Sequence, residues 1–452
     1  MSTQPPQGAR ALTDELLAKA NKPAADAVRY HPRYRGKIQM APKVPVRGVS
    51  DFSIWYTPGV AAPCKEIAAC PERVWDHTNR GNTIAVVSDG TRVLGLGDIG
   101  PEAGLPVMEG KALIFKYLGG VDAVPLVLGT KDPDLLIQTV KLLQPTFGGI
   151  NLEDIAKPKC FRILDTLRAE LEIPVWHDDQ QGTAAVILAG LLNALKRVGK
   201  AIGDVSVVHV GAGAASVATA RLLLSAGVDP AKMRLLDTKG ILHGGRTDFD
   251  PDDPRAHLAQ ITNGENRRGG PAEALDGADV AIALCKPGPG TLKPEWIRGM
   301  AQDAILFACA NPIPEIWPWE AKEAGVRIMA TGRSDFPNQV NNSLCFPGIF
   351  RGVLDVQART ISDEMAIAAA TEIARYAEEQ GLSDEYIVPT MDQWDIYPRQ
   401  AAAAGMMAQQ QGLARLEKTW DELYEDAKRK ILGAREMMET MMEQSLIAGL
   451  DE

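Results

Sequence analysis

The apolar and polar positions of the chain alternate between two kinds of segment. Short continuous apolar runs such as IAVVS, IPVW and VSVVHV are rich in β-branched residues and are typical of buried strands. Longer segments, such as the one after Thr183 that carries Val186, Leu188, Leu191 and Leu195, repeat apolar residues at helical spacing. Buried strands that alternate with amphipathic helices predict an α/β protein with parallel sheets.

Local signals refine this pattern at four places. The segment Leu12 to Arg29 has helical spacing, and Thr183 is a plausible N-cap for the helix that follows it. Asp89-Gly90 separates IAVVS from RVLGL and predicts a hairpin turn between two strands. From Ile361 onward the chain is mostly helical, with one break at VPTMDQWDIYPRQ.

Composition excludes several classes of protein. The chain has 452 residues of which 45% are hydrophobic, so we expect two or three domains with a sizeable core. The net charge of −10 argues against a nucleic-acid partner, and six scattered cysteines indicate a reduced compartment. We find no signal-peptide core and no apolar stretch of the roughly 18–20 residues that a membrane span needs. These features predict a cytoplasmic protein without a membrane partner.

Pairs of carboxylates follow two predicted strands. Glu153 and Asp154 come after INL, and Asp178 and Asp179 come after IPVWH. Because ligands of open α/β sheets bind outside the carboxyl ends of the strands, these side chains are expected to converge at one edge. Clustered carboxylate oxygens suit Mg²⁺ or Mn²⁺. A solvated acidic turn is the alternative interpretation.

A glycine-rich turn follows VSVVHV and precedes a predicted helix. The triplet at 211–213 begins the pattern G-x-G-x-x-G with Ser216 at its third small position, and Asp237 ends the next predicted strand. This βαβ unit is typical of a dinucleotide site, because the glycines let a pyrophosphate approach the helix N-terminus. A Rossmann-like fold that binds no nucleotide is the alternative. The predicted cofactor-binding residues are Gly211, Gly213, Ala214, Ala215, Asp237 and, from the later strand end ANPIPE, Asn311.

The fold class follows from these segments. We predict an N-terminal α/β domain for substrate and metal at residues 1–180. A Rossmann-type doubly wound dinucleotide-binding domain is predicted at residues 181–355. A helical C-terminal segment at residues 356–452 is expected to pack back on the first domain.

Two side chains are candidates for proton transfer. Tyr56 stands before a Thr-Pro-Gly turn that opens a helix, which would hold its ring rigidly. Lys111 lies at the predicted start of an apolar helix, where the macrodipole disfavours an ammonium group and so favours a neutral general base. A packing tyrosine and an exposed lysine are the alternative interpretations.

Together, the segments YTPGVAAPC, SDGTRVLGLGDIG, PVMEGKALIFK, NLEDIAKPKCF, HDDQQGTA, ANPIPE and GRSDFPNQVNN resemble the malic enzymes, particularly the short prokaryotic type. The resemblance implies oxidative decarboxylation of L-malate to pyruvate and CO₂ with NAD or NADP and Mg²⁺ or Mn²⁺. It implies that Tyr56 is the general acid, Lys111 the general base and Asp178 the carboxylate beside that lysine. The implied metal ligands are Glu153, Asp154 and Asp179, and the implied substrate-binding residues are Arg92, Asn311, Asn341 and Asn342.

The sequence also bears on the choice between NAD and NADP and on the oligomeric state. Asp237 favours NAD, because an acid there accepts hydrogen bonds from ribose hydroxyls and repels a 2′-phosphate, although Lys239 and Arg246 lie close by. The resemblance implies a homodimer or higher homo-oligomer. Two rival functions are a malolactic conversion that releases lactate and a catalytically silent nucleotide-binding protein.

Overall fold

The computed structural model describes residues 22–250 and 253–450. One compact unit spans Val46–Glu436 and contains both β-sheets, and the other combines the segment up to Pro45 with the segment from Met437. In the smaller unit, residues 22–34 form helix α1. The Tyr34 hydroxyl donates a hydrogen bond to the carbonyl of Ala448 at 2.6 Å. The part of the predicted Leu12–Arg29 helix before residue 22 lies outside the described residues.

The first half of the larger unit forms a four-stranded parallel sheet with the strand order β2-β1-β3-β4. Strands β1, β3 and β4 are continuous buried runs, as expected when helices cover both faces of a parallel sheet, whereas the edge strand β2 is only partly buried. The elements are α2 (Phe52–Trp55), α3 (Ala61–Ala69), α4 (Val74–His77), β1 (Thr83–Ser88), α5 (Pro101–Gly119), β2 (Asp122–Val127), α6 (Pro133–Leu143), β3 (Gly149–Leu152), α7 (Lys159–Glu170) and β4 (Val175–His177).

The predicted hairpin at Asp89-Gly90 is wrong. Strand β1 lies between β2 and β3 and pairs in parallel with both. The residues after β1 make only an isolated bridge between Val93 and Gly97 before α5 begins. Because parallel strands need crossover connections, α5 joins β1 to β2 and α6 joins β2 to β3. The Asp-Gly turn instead opens a loop at the carboxyl end of β1.

The second half forms a six-stranded sheet with the order β10-β9-β8-β5-β6-β7. All pairs are parallel except β6 with β7, which confirms the Rossmann-type doubly wound prediction. The elements are α8 (Thr183–Val198), β5 (Val207–Val210), α9 (Ala214–Ser225), β6 (Met233–Asp237), β7 (Gly240–Ile241), α10 (Pro254–Ile261), α11 (Pro271–Leu275), β8 (Val280–Ala283), α12 (Pro294–Ile297), β9 (Ala304–Ala308), α13 (Pro318–Glu323) and β10 (Val326–Thr331).

Helices α14 to α17 follow the second sheet, and side chains of α14 and α17 contact α5. They are α14 (Phe346–Asp355), α15 (Asp363–Gln380), α16 (Ile396–Gln410) and α17 (Trp420–Glu443). The rings of Phe346 and Phe350 on α14 lie 4.5 and 5.2 Å from the ring of Phe115 on α5. The guanidinium of Arg435 covers the ring of Tyr117 at 4.3 Å. Within the described residues, no helix combines the length and apolarity that a membrane crossing requires.

Candidate active site

Four carboxylates meet at the carboxyl ends of β3 and β4, as the strand pattern predicts. Glu153 and Asp154 follow β3 directly, and Asp178 and Asp179 begin a π-helical turn, Asp178–Gly182, that follows β4. The backbone N–H of Asp154 donates a hydrogen bond to Oδ2 of Asp179 at 2.8 Å, which ties the two strand ends together. The sheet therefore places a concentrated negative charge at one edge.

The ammonium group of Lys111 lies among these carboxylates. Its Nζ is 2.6 Å from Oδ2 of Asp178 and 3.0 Å from Oε1 of Glu153, and all three side chains are buried. The prediction that Lys111 starts a helix is wrong, because α5 begins at Pro101 and Lys111 lies within it. The helix macrodipole acts mainly at the first and last turns, so it does not explain the protonation state of this lysine.

The electrostatics also differ from the expectation of a neutral amine. Burial by itself lowers the pKa of Lys111, but the carboxylates of Asp178 and Glu153 outweigh it and raise the pKa above its ordinary value. The ring of Phe346 lies 4.4 Å from Nζ and adds a favourable cation–π contact. In this arrangement Lys111 is paired with both carboxylates, and they favour its charged form.

Asp178 is held by two hydrogen bonds and lies close to Gly182. In addition to Lys111, the indole Nε1 of Trp176 donates a hydrogen bond to Oδ1 of Asp178 at 3.1 Å. A Cβ on Gly182 would lie 2.0 Å from the same Oδ1, so only glycine fits this position. Thr183 is the first residue of α8 and does not cap it as predicted, because the π-helical turn precedes it.

The donor chemistry of the cluster fits a divalent cation. Oδ2 of Asp154 is buried and has no hydrogen-bond partner, and burial together with the charge of Asp179 raises the pKa of Asp154 to about 7. A hard cation would satisfy this oxygen and neutralise the excess charge. Across residues 22–250 and 253–450, however, no three His, Cys, Asp or Glu side chains already form a group that could hold a metal ion.

The predicted substrate-binding residues differ in how close they come to this cluster. The backbone N–H of Arg92 donates to the carbonyl of Asp154 at 3.0 Å. The Cβ of Asn342 would lie 3.2 Å from a Cβ on Gly182, beside the π-helical turn. Oδ1 of Asn341 instead accepts hydrogen bonds from the N–H and hydroxyl of Ser343, so its carboxamide oxygen caps a local turn.

Asn311 lies between the two halves of the unit. It follows β9, and its side-chain amide would be 2.9 Å from a Cβ on Gly332. Its carbonyl oxygen is 3.5 Å from the Cβ position of Gly95, in the loop that also carries Arg92. This location suits contact with both cofactor and substrate.

Tyr56 is not brought to the cluster. It directly follows α2, and 70% of its surface is exposed. The hydrogen bonds of Lys111 go to Asp178 and Glu153, and no hydrogen bond joins the Tyr56 hydroxyl to them within the described residues. The role implied for Tyr56 by the sequence resemblance therefore stays a prediction.

The glycine-rich turn has the geometry that the sequence predicts. Gly211 follows β5 with φ of 106°, and Gly213 precedes α9, whose first residues are Ala214 and Ala215. The hydroxyl of Ser216 donates to the carbonyl of Gly211 at 2.6 Å and holds the turn. Backbone N–H groups at the start of α9 are thus available to a pyrophosphate.

Replacing Gly211 with alanine is expected to destroy this turn. A Cβ there would lie 2.9 Å from the carbonyl oxygen of Leu284, and positive φ adds strain of about 1–3 kcal/mol. We expect a lower melting temperature and loss of NADH binding, measured by thermal unfolding and by nucleotide fluorescence. Gly433→Ala, on α17 with open space around its Cβ position, is the control. Unchanged NADH affinity in Gly211→Ala would contradict this assignment.

Asp237 ends β6 as predicted, but its charge is neutralised by an arginine. Nη1 and Nη2 of Arg246 lie 3.0 and 2.7 Å from the two carboxylate oxygens of Asp237. Burial raises the pKa of Asp237, whereas the hydrogen bonds from Arg246 outweigh it and hold the pKa below its ordinary value. A cavity of about 570 Å³ beside this pair is also lined by Lys239, His243 and Arg268.

Sequence reasoning did not single out Glu315. This buried side chain accepts hydrogen bonds from the N–H of Cys285 at 3.0 Å and from the N–H of Ala310 at 3.1 Å. Glu315 therefore links the segment just after β8 to the segment just after β9. These two segments lie beside Gly211 and Asn311. The sequence indicates Glu315 only through its position in the segment ANPIPE. Hydrogen bonds from a side chain to backbone groups at another strand end leave no local sequence pattern.

Comparisons with known proteins agree with this architecture. A family model described as the malic enzyme N-terminal domain matches residues 35–168, and one described as the malic enzyme NAD-binding domain matches residues 180–408. The chain is 51% identical over 380 residues to an NAD-dependent malic enzyme of Geobacillus stearothermophilus, covering 84% of this chain and 78% of that protein. It is 48% identical over 404 residues to a bifunctional malic/malolactic enzyme of Bacillus subtilis, covering 89% and 97%.

Solved structures give the same result. A crystal structure of malic enzyme from Pyrococcus horikoshii superimposes with a TM-score of 0.88 at 53% identity, covering 90% of this chain and 95% of that one. The malic enzyme of Entamoeba histolytica superimposes with a TM-score of 0.92 at 47% identity, covering 99% and 93%.

Proposed function

The chain belongs to the malic enzyme family and catalyses oxidative decarboxylation of L-malate with a nicotinamide cofactor, and we propose that the charged cluster around Lys111 is its catalytic site. The observation that carries this proposal is Lys111 held between Asp178 and Glu153 at the sheet edge. Nζ of Lys157, three residues after Asp154, lies 3.5 Å from the carbonyl of Ala212 in the glycine-rich turn. The cluster and the dinucleotide turn are therefore neighbours.

Proton transfer is assigned to two side chains. Nζ of Lys111 takes the proton of the malate 2-hydroxyl. Because Nζ is protonated when paired, it must first lose one of its own protons. The 2.6 Å hydrogen bond to Asp178 provides that route. After CO₂ departs from C3, Tyr56 protonates the resulting enolate to give pyruvate. The turn at Gly211 and Gly213 would hold the nicotinamide cofactor, which would supply an acceptor for the hydride that leaves C2.

Glu153, Asp154 and Asp179 would hold the divalent cation, Mg²⁺ or Mn²⁺. When bound, it supplies Lewis-acid polarisation of the malate oxygens. Arg92, Asn311, Asn341 and Asn342 are proposed to bind malate, with Arg92 pairing with a carboxylate and the amides adding hydrogen bonds without charge. The direct test is purified protein with malate, Mn²⁺ and either NAD or NADP, following both absorbance and pyruvate. Absence of pyruvate with both cofactors would contradict the proposal.

We retain a preference for NAD over NADP as a proposal. We propose that the Asp237–Arg246 pair determines how strong this preference is. Asp237→Ala removes the acid that repels a 2′-phosphate and leaves Arg246 held by Asp248 alone. The kcat/KM ratio should therefore shift toward NADP by about tenfold, or about 1.4 kcal/mol. Arg246→Ala removes the bidentate partner of Asp237, which keeps only the more distant Arg255 at 3.9 Å as a charged partner, and should shift the ratio toward NAD. Arg267→Ala, whose partner is Glu265, is the control. Shifts in the same direction for both variants would contradict this role.

A malolactic reaction is the second candidate, favoured by the 48% identity to the bifunctional Bacillus subtilis enzyme. The two reactions differ in their products, because malolactic turnover yields lactate with no net NADH. Measuring lactate, pyruvate and NADH in one reaction mixture separates them. We also retain as proposals a homodimer, a cytoplasmic location and domain boundaries near residues 180 and 355.

A further inference from the structure

Glu315 is a buried carboxylate that has no cationic partner. None of its surface is exposed, and burial raises the pKa of its carboxyl group. Within residues 22–250 and 253–450, no lysine, arginine or histidine forms an ion pair with it. Its oxygens accept hydrogen bonds from backbone N–H groups, and Oε1 lies 3.6 Å from the thiol of Cys285. Burying such a group is costly, which indicates a role beyond packing.

The two N–H groups that bind Glu315 lie at the ends of neighbouring strands. Oε1 accepts the N–H of Cys285, just after β8, at 3.0 Å, and Oε2 accepts the N–H of Ala310, just after β9, at 3.1 Å. Cys285 faces the glycine-rich turn, because a Cβ on Gly211 would lie 3.0 Å from the Cβ of Cys285. Ala310 directly precedes Asn311. One carboxylate therefore holds the backbone beside both the dinucleotide turn and a proposed substrate ligand.

The same two loops are also joined by backbone groups alone. The N–H of Gly288 donates to the carbonyl of Ile313 at 3.2 Å, and the N–H of Leu292 donates to the carbonyl of Glu315 at 3.1 Å. These contacts lie farther along the loops than Cys285 and Ala310. The loops can therefore stay together without the carboxylate, whose particular contribution is to fix the two peptides next to the site.

The side chain of Asn311 depends on its backbone for its position. The residue is exposed, and in the part of the chain that the structure describes its carboxamide makes no hydrogen bond to another protein group. A Cβ on Gly332 would lie 2.9 and 3.0 Å from the two polar atoms of this carboxamide, so glycine there leaves room for it. An amide without hydrogen bonds of its own is oriented by the backbone that carries it, and Glu315 holds that backbone at Ala310.

We propose that Glu315 is a positioning residue for the dinucleotide turn and for Asn311. It fixes the peptides at Cys285 and Ala310, and through them the orientation that dinucleotide and malate require. A carboxylate suits this task because each of its oxygens can accept one N–H, whereas a glutamine offers one oxygen and an NH₂ group that opposes the second N–H. This inference rests on the proposed roles of the Gly211 turn and of Asn311.

Glu315→Gln tests the inference without a change in side-chain size. One of the two N–H groups loses its acceptor, so the Kd for NADH should rise about tenfold, or by about 1.4 kcal/mol. Nucleotide fluorescence measures this Kd without malate or metal. The KM for malate should rise by a similar factor, while kcat should change little because Lys111 and its carboxylates are untouched. Glu320→Gln is the control, because its carboxylate accepts the N–H of Trp317 at 3.1 Å at the start of α13, and it should keep wild-type values.

A double-mutant cycle separates positioning from a general loss of stability. Asn311→Ala should itself raise the KM for malate, and adding Glu315→Gln should raise that KM little further, because the side chain through which Glu315 acts is already gone. Independent, additive increases in KM would overturn the inference. Thermal unfolding shows that each variant is folded at the assay temperature.

A second variant covers the case in which Glu315→Gln does not fold. Glu315→Asp keeps the charge but is one methylene shorter and does not reach both N–H groups, so it should show the same loss of NADH affinity. Unfolding of both variants would show a purely structural role and overturn the inference.

The remaining outcomes distinguish this inference from the function on which it rests. Wild-type NADH affinity and KM in a folded Glu315→Gln protein would overturn the inference and leave the roles of Gly211 and Asn311 intact. A wild-type KM in Asn311→Ala would instead remove the substrate role of Asn311. The NADH affinity of Glu315→Gln would then decide whether Glu315 positions the dinucleotide turn.

Discussion

Lys111→Arg is expected to lower kcat for malate oxidation by about 10²–10⁴-fold while leaving the protein folded. Arginine keeps the positive charge beside Asp178 and Glu153, so the buried carboxylates stay paired. Its guanidinium is not deprotonated in proteins and does not act as a base near neutral pH. The measurement is steady-state kinetics together with thermal unfolding.

The control is a lysine in the same helix. Lys116 also lies on α5 and pairs with Asp122 at 2.7 Å, so Lys116→Arg tests the same substitution in the same element. It should retain activity. Lys111→Ala should also be inactive, and small exogenous amines are expected to restore part of its turnover but none of the turnover of Lys111→Arg. Wild-type kcat in Lys111→Arg would show that another group is the base.

Asp179→Asn is expected to weaken Mn²⁺ binding and remove turnover without unfolding the protein. The amide keeps an oxygen that can accept the N–H of Asp154, so the link between the two strand ends persists. What is lost is the negative charge that a hard cation requires. Titration calorimetry measures the affinity for Mn²⁺, and circular dichroism confirms the fold.

Glu170→Gln is the matched control, because Glu170 is a carboxylate on α7 that pairs with Lys141 away from the cluster. It should bind Mn²⁺ as wild type does. Removing divalent cations from the wild-type enzyme with a chelator should stop turnover, and added Mn²⁺ should restore it. Full turnover after exhaustive chelation would contradict the metal role of Glu153, Asp154 and Asp179.

Sequence alone predicted those features that depend on local pattern. Short β-branched runs predicted the buried strands, and the glycine spacing predicted a tight turn at Gly211, whose positive φ and close approach to Leu284 leave no room for a side chain. The carboxylates after β3 and β4 were placed at one sheet edge because a parallel α/β topology brings strand ends together. These features follow from periodicity and from the conformational limits of single residues.

The tertiary structure decided which groups meet and what charge they carry. Lys111 and Asp178 are 67 residues apart, and their contact reverses the expected shift in the pKa of the lysine. Arg246 neutralises Asp237, and the partners of β1 rule out the hairpin at Asp89. The exposure of Tyr56 is likewise set by what the rest of the chain leaves uncovered. Pairing, burial and protonation depend on neighbours distant in sequence, because electrostatic and packing energies are functions of distance in space.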